Sequence, residues 1–123
     1  MSVLTNEQEL QKMVGEGQMM EAFEKFYHSD VIMIEPMAGE TKGKVANRKR
    51  EAEWLAALKE AHGGGVTALA ADEENGLTLT ESWGDFEFKD GNRIKMEEVS
   101  VKKWENGLIV HERFYYNIPS QEG

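Results

Sequence analysis

Carboxylates have more scope for chemistry in this chain than any other residue type. There is no cysteine among the 123 residues, which excludes thiol nucleophiles, disulfides and thiolate-bound zinc. His28, His62 and His111 stand far apart, with neither His-x-His nor His-Glu-x-x-His spacing, so no metal is expected and no cofactor is called for. Gly63-Gly64-Gly65 follows a helical pattern and has no Lys-Ser/Thr after it, which rules it out as a phosphate loop. Among the acids, two stand on strand-like stretches. Period-two alternation puts Val110, Glu112, Phe114 and Tyr116 on one face of the last stretch and Ile109, His111, Arg113 and Tyr115 on the other. The matching face of the stretch before it carries Met96, Glu98, Ser100, Lys102 and Trp104, unless a bulge inverts part of it. Two carboxylates about 4–6 Å apart in a low-dielectric pocket cannot both ionise cheaply, and the raised pKa that results suits an acid or base working near neutrality. The plainer alternative for Glu98 and Glu112 is a salt bridge to Lys102, Arg48 or Arg113.

The elements that would position these acids can be read along the chain. Thr5-Asn6-Glu7-Gln8 reads as a capping box, predicting a helix from Asn6 with Leu10, Met13 and Val14 at helical spacing. Met19, Met20, Phe23, Phe26 and Tyr27 predict a second helix over about 18–28. Val31 to Ile34, stopped by Glu35-Pro36, reads as a strand. Ala52, Leu55, Leu58 and Ala61 mark one face of a third helix over about 44–62, ended by the three glycines, with His62 beside its C-terminal dipole. Val66–Ala71, Leu77–Phe88, Arg93–Glu105 and Leu108–Asn117 read as strands, and Asn75-Gly76, Asp90-Gly91 and Asn106-Gly107 join them as tight turns. Helices followed by an antiparallel meander make an α+β domain. Strands of about 10–13 residues exceed the usual length and coil strongly, so the sheet should curve into a cone whose open side is covered by the helices. The last six residues read as a tail.

Length and charge narrow the function classes. One domain accounts for the whole chain, over residues 1–123. A formal net charge of −9 repels phosphate backbones and anionic lipid, so neither nucleic acid nor a membrane surface is an expected partner. No apolar run reaches the roughly 18–20 residues of a membrane span, and the first residues lack a basic-then-apolar leader pattern. The expected location is cytoplasmic.

Two N-terminal helices, the acid-Pro pair Glu35-Pro36, Gly43-Lys44 opening a third helix, and a final hairpin Trp104 to Val110 leading to Phe114-Tyr115-Tyr116 together resemble the SnoaL-like branch of the NTF2-like superfamily. The resemblance covers roughly residues 8–117, and Gly43 to Arg48 with Glu51, together with His111 to Tyr116, is similar to one SnoaL-like subgroup. It implies an NTF2-like, cystatin-like cone of three helices packed on a strongly curved, mostly antiparallel sheet, with Glu98, Glu112, Phe114 and Tyr116 facing the pocket. The superfamily includes isomerases, cyclases, epoxide hydrolases, dehydratases and non-catalytic binders, so function must be argued from the site.

Glu35 occupies the position of the general base in ketosteroid isomerases. The two proton donors those enzymes need fall near Glu9 and Ser100, neither of which is the expected residue. An epoxide hydrolase triad would fall near Ser82, Gly84 and Phe114, and the cyclase acid of the last strand is replaced by Phe114. The remaining expectation is a pocket of about 300 Å3 or more for a small, mostly apolar organic ligand. Glu35 would be its general base, with Glu98 or Glu112 as partner in an isomerase, cyclase or lyase type of proton shift. Phe114, Tyr116 and Trp83 would contact the substrate, and Arg48 would anchor a substrate carboxylate or pair with Glu35. The alternatives are a non-catalytic ligand-binding or interaction module and a purely structural dimer with a filled cone. An outer sheet face with Val99, Val101, Ile109 and Tyr115 is apolar enough to predict a homodimer.

Overall fold

Ser2 caps helix α1 (Val3–Gly15), its hydroxyl accepting the Thr5 amide at 3.0 Å. The Glu73 carboxylate accepts the Val3 and Leu4 amides at 2.9 and 3.1 Å, answering the orphan donors and the dipole of that terminus. The helix therefore begins earlier than the Thr5 capping box predicts: Thr5 lies inside the first turn and Glu7 points into the interior. The computed structural model describes residues 2–117, so the tail expected over the last six residues lies outside the described residues.

Helix α2 (Met19–Phe26) buries Ala22, Phe23 and Phe26, and strand β1 (Tyr27–Glu35) starts at once, two residues before the predicted helix end. Strand β2 (Gly39–Lys42), which the sequence pattern did not suggest, folds back on β1 as a short hairpin. Helix α3 (Lys44–Ala57) stops well before the glycine triplet. Leu58 to Gly65 belong to strand β3 (Leu58–Asp72), followed by β4 (Leu77–Phe88), β5 (Arg93–Glu105) and β6 (Leu108–Tyr116).

The glycines are strand residues because of what faces them. Gly65 pairs with Trp83, whose indole lies across Gly63 and Gly65; a Cβ added at Gly63 would sit 3.2 Å from that ring. Small residues there let a large one lie flat on the sheet, a long-range demand that local propensity does not reveal. His62 is accordingly no helix-terminal residue: it stands on β3 and hydrogen-bonds the Glu87 carboxylate at 2.8 Å. The predicted inner face of α3 also shifts. Ala52 is exposed, and the residues turned inward are Asn47, Arg50, Glu51 and Trp54.

All six strands form one sheet in the order β2-β1-β6-β5-β4-β3, with β1 and β6 parallel and every other pair antiparallel. The three predicted turns are present. At Asn106-Gly107 both residues have positive φ, 52° and 79°, as a type I′ turn requires. Three helices on a curved, mostly antiparallel sheet make the expected α+β cone.

Just beyond the last turn, Lys103 pairs with His111 while Trp104 pairs with Ile109, leaving an extra residue on β6. This bulge turns Ile109 inward, where it is fully buried; it belongs to the core and not to the outer face on which strict alternation placed it. Trp104 is also core, packed edge-on against Phe26 at 5.7 Å, with its indole N–H donating to Thr78 at 2.9 Å.

Candidate active site

Between the helices and the concave face of the sheet lies a cavity of about 930 Å3. Its walls are built by alternation: even-numbered residues of β5 and, beyond the bulge, of β6 point into it, so Glu98, Ser100, Lys102, Glu112, Phe114 and Tyr116 share one concave surface. Across β4, Gly84 leaves room for the Phe86 ring, which lies over it where a Cβ would stand. Trp54 of α3 meets that ring edge-on at 4.9 Å.

At the floor of the cavity is a closed polar network. Glu7, Lys102 and Glu112 are each no more than 2% exposed. The Lys102 ammonium donates to Glu7 at 3.1 Å and to Ser100 Oγ at 2.9 Å, and lies 3.4 Å from Glu112. Ser100 passes a hydrogen bond on to Glu112 Oε2 at 2.5 Å, while the Tyr27 hydroxyl donates to Oε1 of the same carboxylate. Glu7 accepts further bonds from Gln11 at 2.7 Å, Thr80 at 2.8 Å and Thr78 at 3.3 Å. Each charge is thereby both paired and hydrogen-bonded, the condition under which buried ions persist. Burial alone would push the Lys102 ammonium down, but Glu112 and Glu7 outweigh it and hold it above the ordinary lysine range. Burial, then the charge of Glu112, drives the Tyr27 phenol well above its usual range, so Tyr27 stays a donor.

The wall facing α3 is different. Asn47, wholly buried, donates to the Gly43 carbonyl at 2.8 Å and the Thr41 carbonyl at 3.1 Å, which fixes the phase of the helix. Its amide oxygen accepts from Arg50 at 3.1 Å, and Arg50 in turn grips Glu35 at 2.5 Å and approaches Glu51 at 3.5 Å. Arg50 Nε is buried with no acceptor among the described residues.

Two cavity acids remain chemically open. Glu98 makes no hydrogen bond or ion pair with the described residues; burial and the Glu112 charge, partly offset by Lys102, raise its carboxyl to about 7. Burial also raises Glu51 to about 7, opposed by Arg50 and reinforced by the charges of Glu112, Glu35 and Glu98. Tyr116 is raised too, by burial and then by Glu35.

Of the expected site residues, the structure gathers Glu35, Glu98, Glu112, Phe114 and Tyr116 around one cavity. Arg48 is not among them. It forms a bidentate pair with Glu24 on α2, at 2.5 and 2.9 Å, and the partner of Glu35 is Arg50, because the register of α3 turns position 50 inward and position 48 toward α2. Trp83 borders the cavity beside Gly84, but its ring lies on the convex face, with the Lys95 ammonium 5.2 Å above it; a residue next to an inward-pointing one on a strand points outward. Sequence reasoning missed Glu7, Tyr27, Arg50 and Glu51. The spacing Asn47, Glu51, Trp54 was the available signal, a partly polar stripe at helical steps, overlooked beside the more apolar series that begins at Ala52. Outside the cavity, Glu60, His62 and Glu87 bring possible metal-ligating atoms within 4.8 Å of one another, but Glu87 is already paired with His62 and with Lys59 at 3.4 Å. No helix of the described residues is long and apolar enough to cross a membrane.

Solved structures share this architecture. A SnoaL-like protein from Mesorhizobium loti, described as a polyketide cyclase candidate, superposes with a TM-score of 0.84 at 28% identity over 94% of this chain and 100% of its own. A candidate isomerase from Bacillus subtilis gives 0.76 at 16% identity, over 92% of this chain and 84% of that one. An NTF2-like protein of unknown function from Burkholderia xenovorans gives 0.75 at 19% identity, over 98% and 87%. No curated protein sequence matches the chain. A family model described as a SnoaL-like domain matches residues 4–116, nearly the whole cone with its floor network and its acidic cavity, and the chain therefore belongs to the SnoaL-like domain family.

Proposed function

We propose that the cavity binds a small, mostly apolar organic molecule and moves a proton on it, as an acid/base enzyme of isomerase, cyclase or lyase type. The observation that carries this reading is the contrast on β5 and β6: both oxygens of Glu112 are hydrogen-bonded, while the side chain of Glu98, on the same concave surface, has no partner among the described residues. A carboxyl group titrating at about 7 is populated in both forms at neutral pH, so it can take a proton from carbon and return it. Glu98 is thus the proton carrier. Glu51, raised for related reasons, is the second acid, able as its neutral form to donate a hydrogen bond to a substrate oxygen. Arg50 Nε, a buried donor without an acceptor, suits the same oxygen as negative charge develops on it. Glu35, gripped by Arg50, serves as a fixed carboxylate that orients Arg50, and Phe114 and Tyr116 supply apolar surface.

The test is hydrogen exchange on carbon. A panel of β,γ-unsaturated ketones and 1,3-diketones is incubated with the protein in D2O and followed by proton NMR. Exchange above the buffer rate is expected for at least one compound, falling by about 10²–10⁴-fold in Glu98→Gln. Exchange untouched by that substitution, or none across the panel with binding retained, leaves the non-catalytic binding module as the better reading.

The proposal includes a homodimer through the outer sheet face, supported by Tyr115 and Leu79 standing 50% and 42% exposed there beside Val99 and Trp83. Tyr115→Glu should shift sedimentation from dimer to monomer; a wild-type monomer at all concentrations overturns it. A cytoplasmic location, the default for an acidic, cysteine-free chain, belongs to the same reading.

A further inference from the structure

The charges and rings around the cavity do not balance without a ligand. Two cations of the described residues reach its surface and both are largely engaged: Lys102 by Glu7, Ser100 and Glu112, and Arg50 by Glu35, Asn47 and Glu51, with only its Nε left unfilled. Glu98 is left over, and Glu51 has only the 3.5 Å edge of a guanidinium already engaged elsewhere. Aromatic rings stand around these acids: Trp54 crossed with Phe86 on the α3 side, Phe114 and Tyr116 on the β6 side, Phe23 and Tyr27 below. A ring face is a negative surface, and rings with a carboxylate beside them recognise a positive centre that has shed its water.

We propose that the ligand of this cavity is an organic cation, a protonated or quaternary amine carrying apolar substituents. This rests on reading the cavity as a ligand site and names the class of molecule it takes. An anionic ligand would meet the carboxylates of Glu35, Glu51, Glu98 and Glu112 with a single unfilled donor, Arg50 Nε, to receive it. A neutral one would leave Glu98 unpaired or obliged to keep its proton. A cation seated over the rings supplies the missing partner, and its apolar substituents cover the remaining wall. The chain's net charge of −9 draws such molecules toward it from a distance.

A consequence is coupling between binding and protonation. The charged and titratable groups that line the cavity with Glu98 and Glu51 are Glu35 and Tyr27 from β1, Arg50 and Glu53 from α3, Lys102 from β5, Glu112 and Tyr116 from β6, with Glu7 of α1 behind Lys102. Glu98 and Glu51, each raised to about 7, are poised to lose a proton near neutrality. A bound cation favours their charged forms, so its arrival expels protons and its affinity rises with pH.

Calorimetric titration with benzyltrimethylammonium chloride, benzyl alcohol and phenylacetate as probes tests this on the full chain. The expected result is cation binding at least about tenfold tighter than either other probe, strengthening by about tenfold from about pH 5.5 to about pH 8. Runs in two buffers of different ionisation enthalpy should count about one proton released near pH 6.5, and Glu98→Gln should abolish most of that release. Trp54→Leu should weaken the cation selectively, which keeps the test meaningful if the Glu98 variant folds poorly. Equal or tighter binding of the alcohol or phenylacetate overturns the proposal, as does pH-independent cation binding or no binding by any probe. Cation binding without carbon exchange would retire the catalytic reading alone; exchange on neutral ketones with the cation excluded would retire this one alone.

Discussion

The floor of the cavity and its α3-facing wall are made from the same side chains, glutamates with one basic residue each, and they behave oppositely. On the floor, Glu7, Lys102 and Glu112 exhaust one another's hydrogen-bonding capacity with the help of Ser100, Thr78, Thr80, Gln11 and Tyr27. On the wall, Arg50 is divided between Glu35, Glu51 and Asn47, and nearby Glu98 has no partner among the described residues. The floor acids are held by partners on every side, whereas burial with few partners raises the acids of the wall. The floor also acts on the wall, because the Glu112 charge is one of the causes that lift both Glu98 and Glu51. Structural and chemical acids can therefore be told apart by counting partners together with burial.

The largest effect expected from breaking this contrast is Lys102→Met. The substitution nearly preserves volume but leaves Glu7 and Glu112 buried without their shared cation, and the cost should be about 3–5 kcal/mol in urea unfolding. A loss below about 1 kcal/mol would mean that the two carboxyls simply protonate, and that the floor is no more fixed than the wall.

Glu112→Gln sharpens the contrast by linking its halves. The glutamine keeps the shape but removes the charge next to Lys102, so a cost of about 1–3 kcal/mol is expected. More telling is Glu98, whose carboxyl, followed by carbon NMR, should fall from about 7 toward the ordinary range once that neighbouring charge is gone. An unmoved Glu98 would leave desolvation and the Glu35 charge as its causes and sever the floor from the wall.

Next comes the pH dependence of the wall itself. Glu98 and Glu51 are held at about 7 in the folded protein against an ordinary value of 4.5. Between those values the folded state binds more protons than the unfolded state. The stability they contribute is therefore complete below about pH 4.5, is lost as pH rises through about 7, and levels off near pH 8, by about 1–3 kcal/mol for each group. Glu98→Gln should flatten part of this slope and make the protein more stable than wild type at about pH 8, while leaving it nearly unchanged at about pH 5. A slope of the opposite sign in that window would mean that both acids are ionised partners of cations after all.

How much of this could be read in the chain depended on the range of the forces concerned. Turns such as Asn106-Gly107 are legible because positive φ is a local demand met by few residues. The alternation that brought Glu98 and Glu112 to one concave face is nearly as local, and it survives because the β6 bulge falls before Glu112. Before that bulge, on the turn side, the same rule misplaced Ile109. Gly63 to Gly65 read as a helix stop because nothing nearby in sequence announces that Trp83 will lie across them. Saturation of Glu112 needed Tyr27, Ser100 and Lys102 from two strands and could not be seen from any one of them. In the run Asn47-Arg48-Lys49-Arg50, three cations offered themselves to Glu35, and only the burial of Asn47 against the Gly43 and Thr41 carbonyls selects the one that faces it.

That selection yields the smallest expected effect and a clean control. Arg48 and Arg50 have similar sequence surroundings, but Arg48 pairs with Glu24 at the surface, its side chain 41% exposed, whereas Arg50 holds Glu35 in the cavity wall at 22%. An exposed pair of this kind is screened by water and salt, so Arg48→Gln should leave the urea-unfolding midpoint nearly unchanged. It should leave the titration of Glu98 and any cation binding unaltered. Arg50→Gln, by contrast, should release Glu35 and raise Glu51 further, because Arg50 is what opposes the burial of Glu51. Carbon NMR of the Glu51 carboxyl separates the two variants: a shift in Glu51 on losing Arg48, with none on losing Arg50, would reverse the assignment of which arginine belongs to the wall.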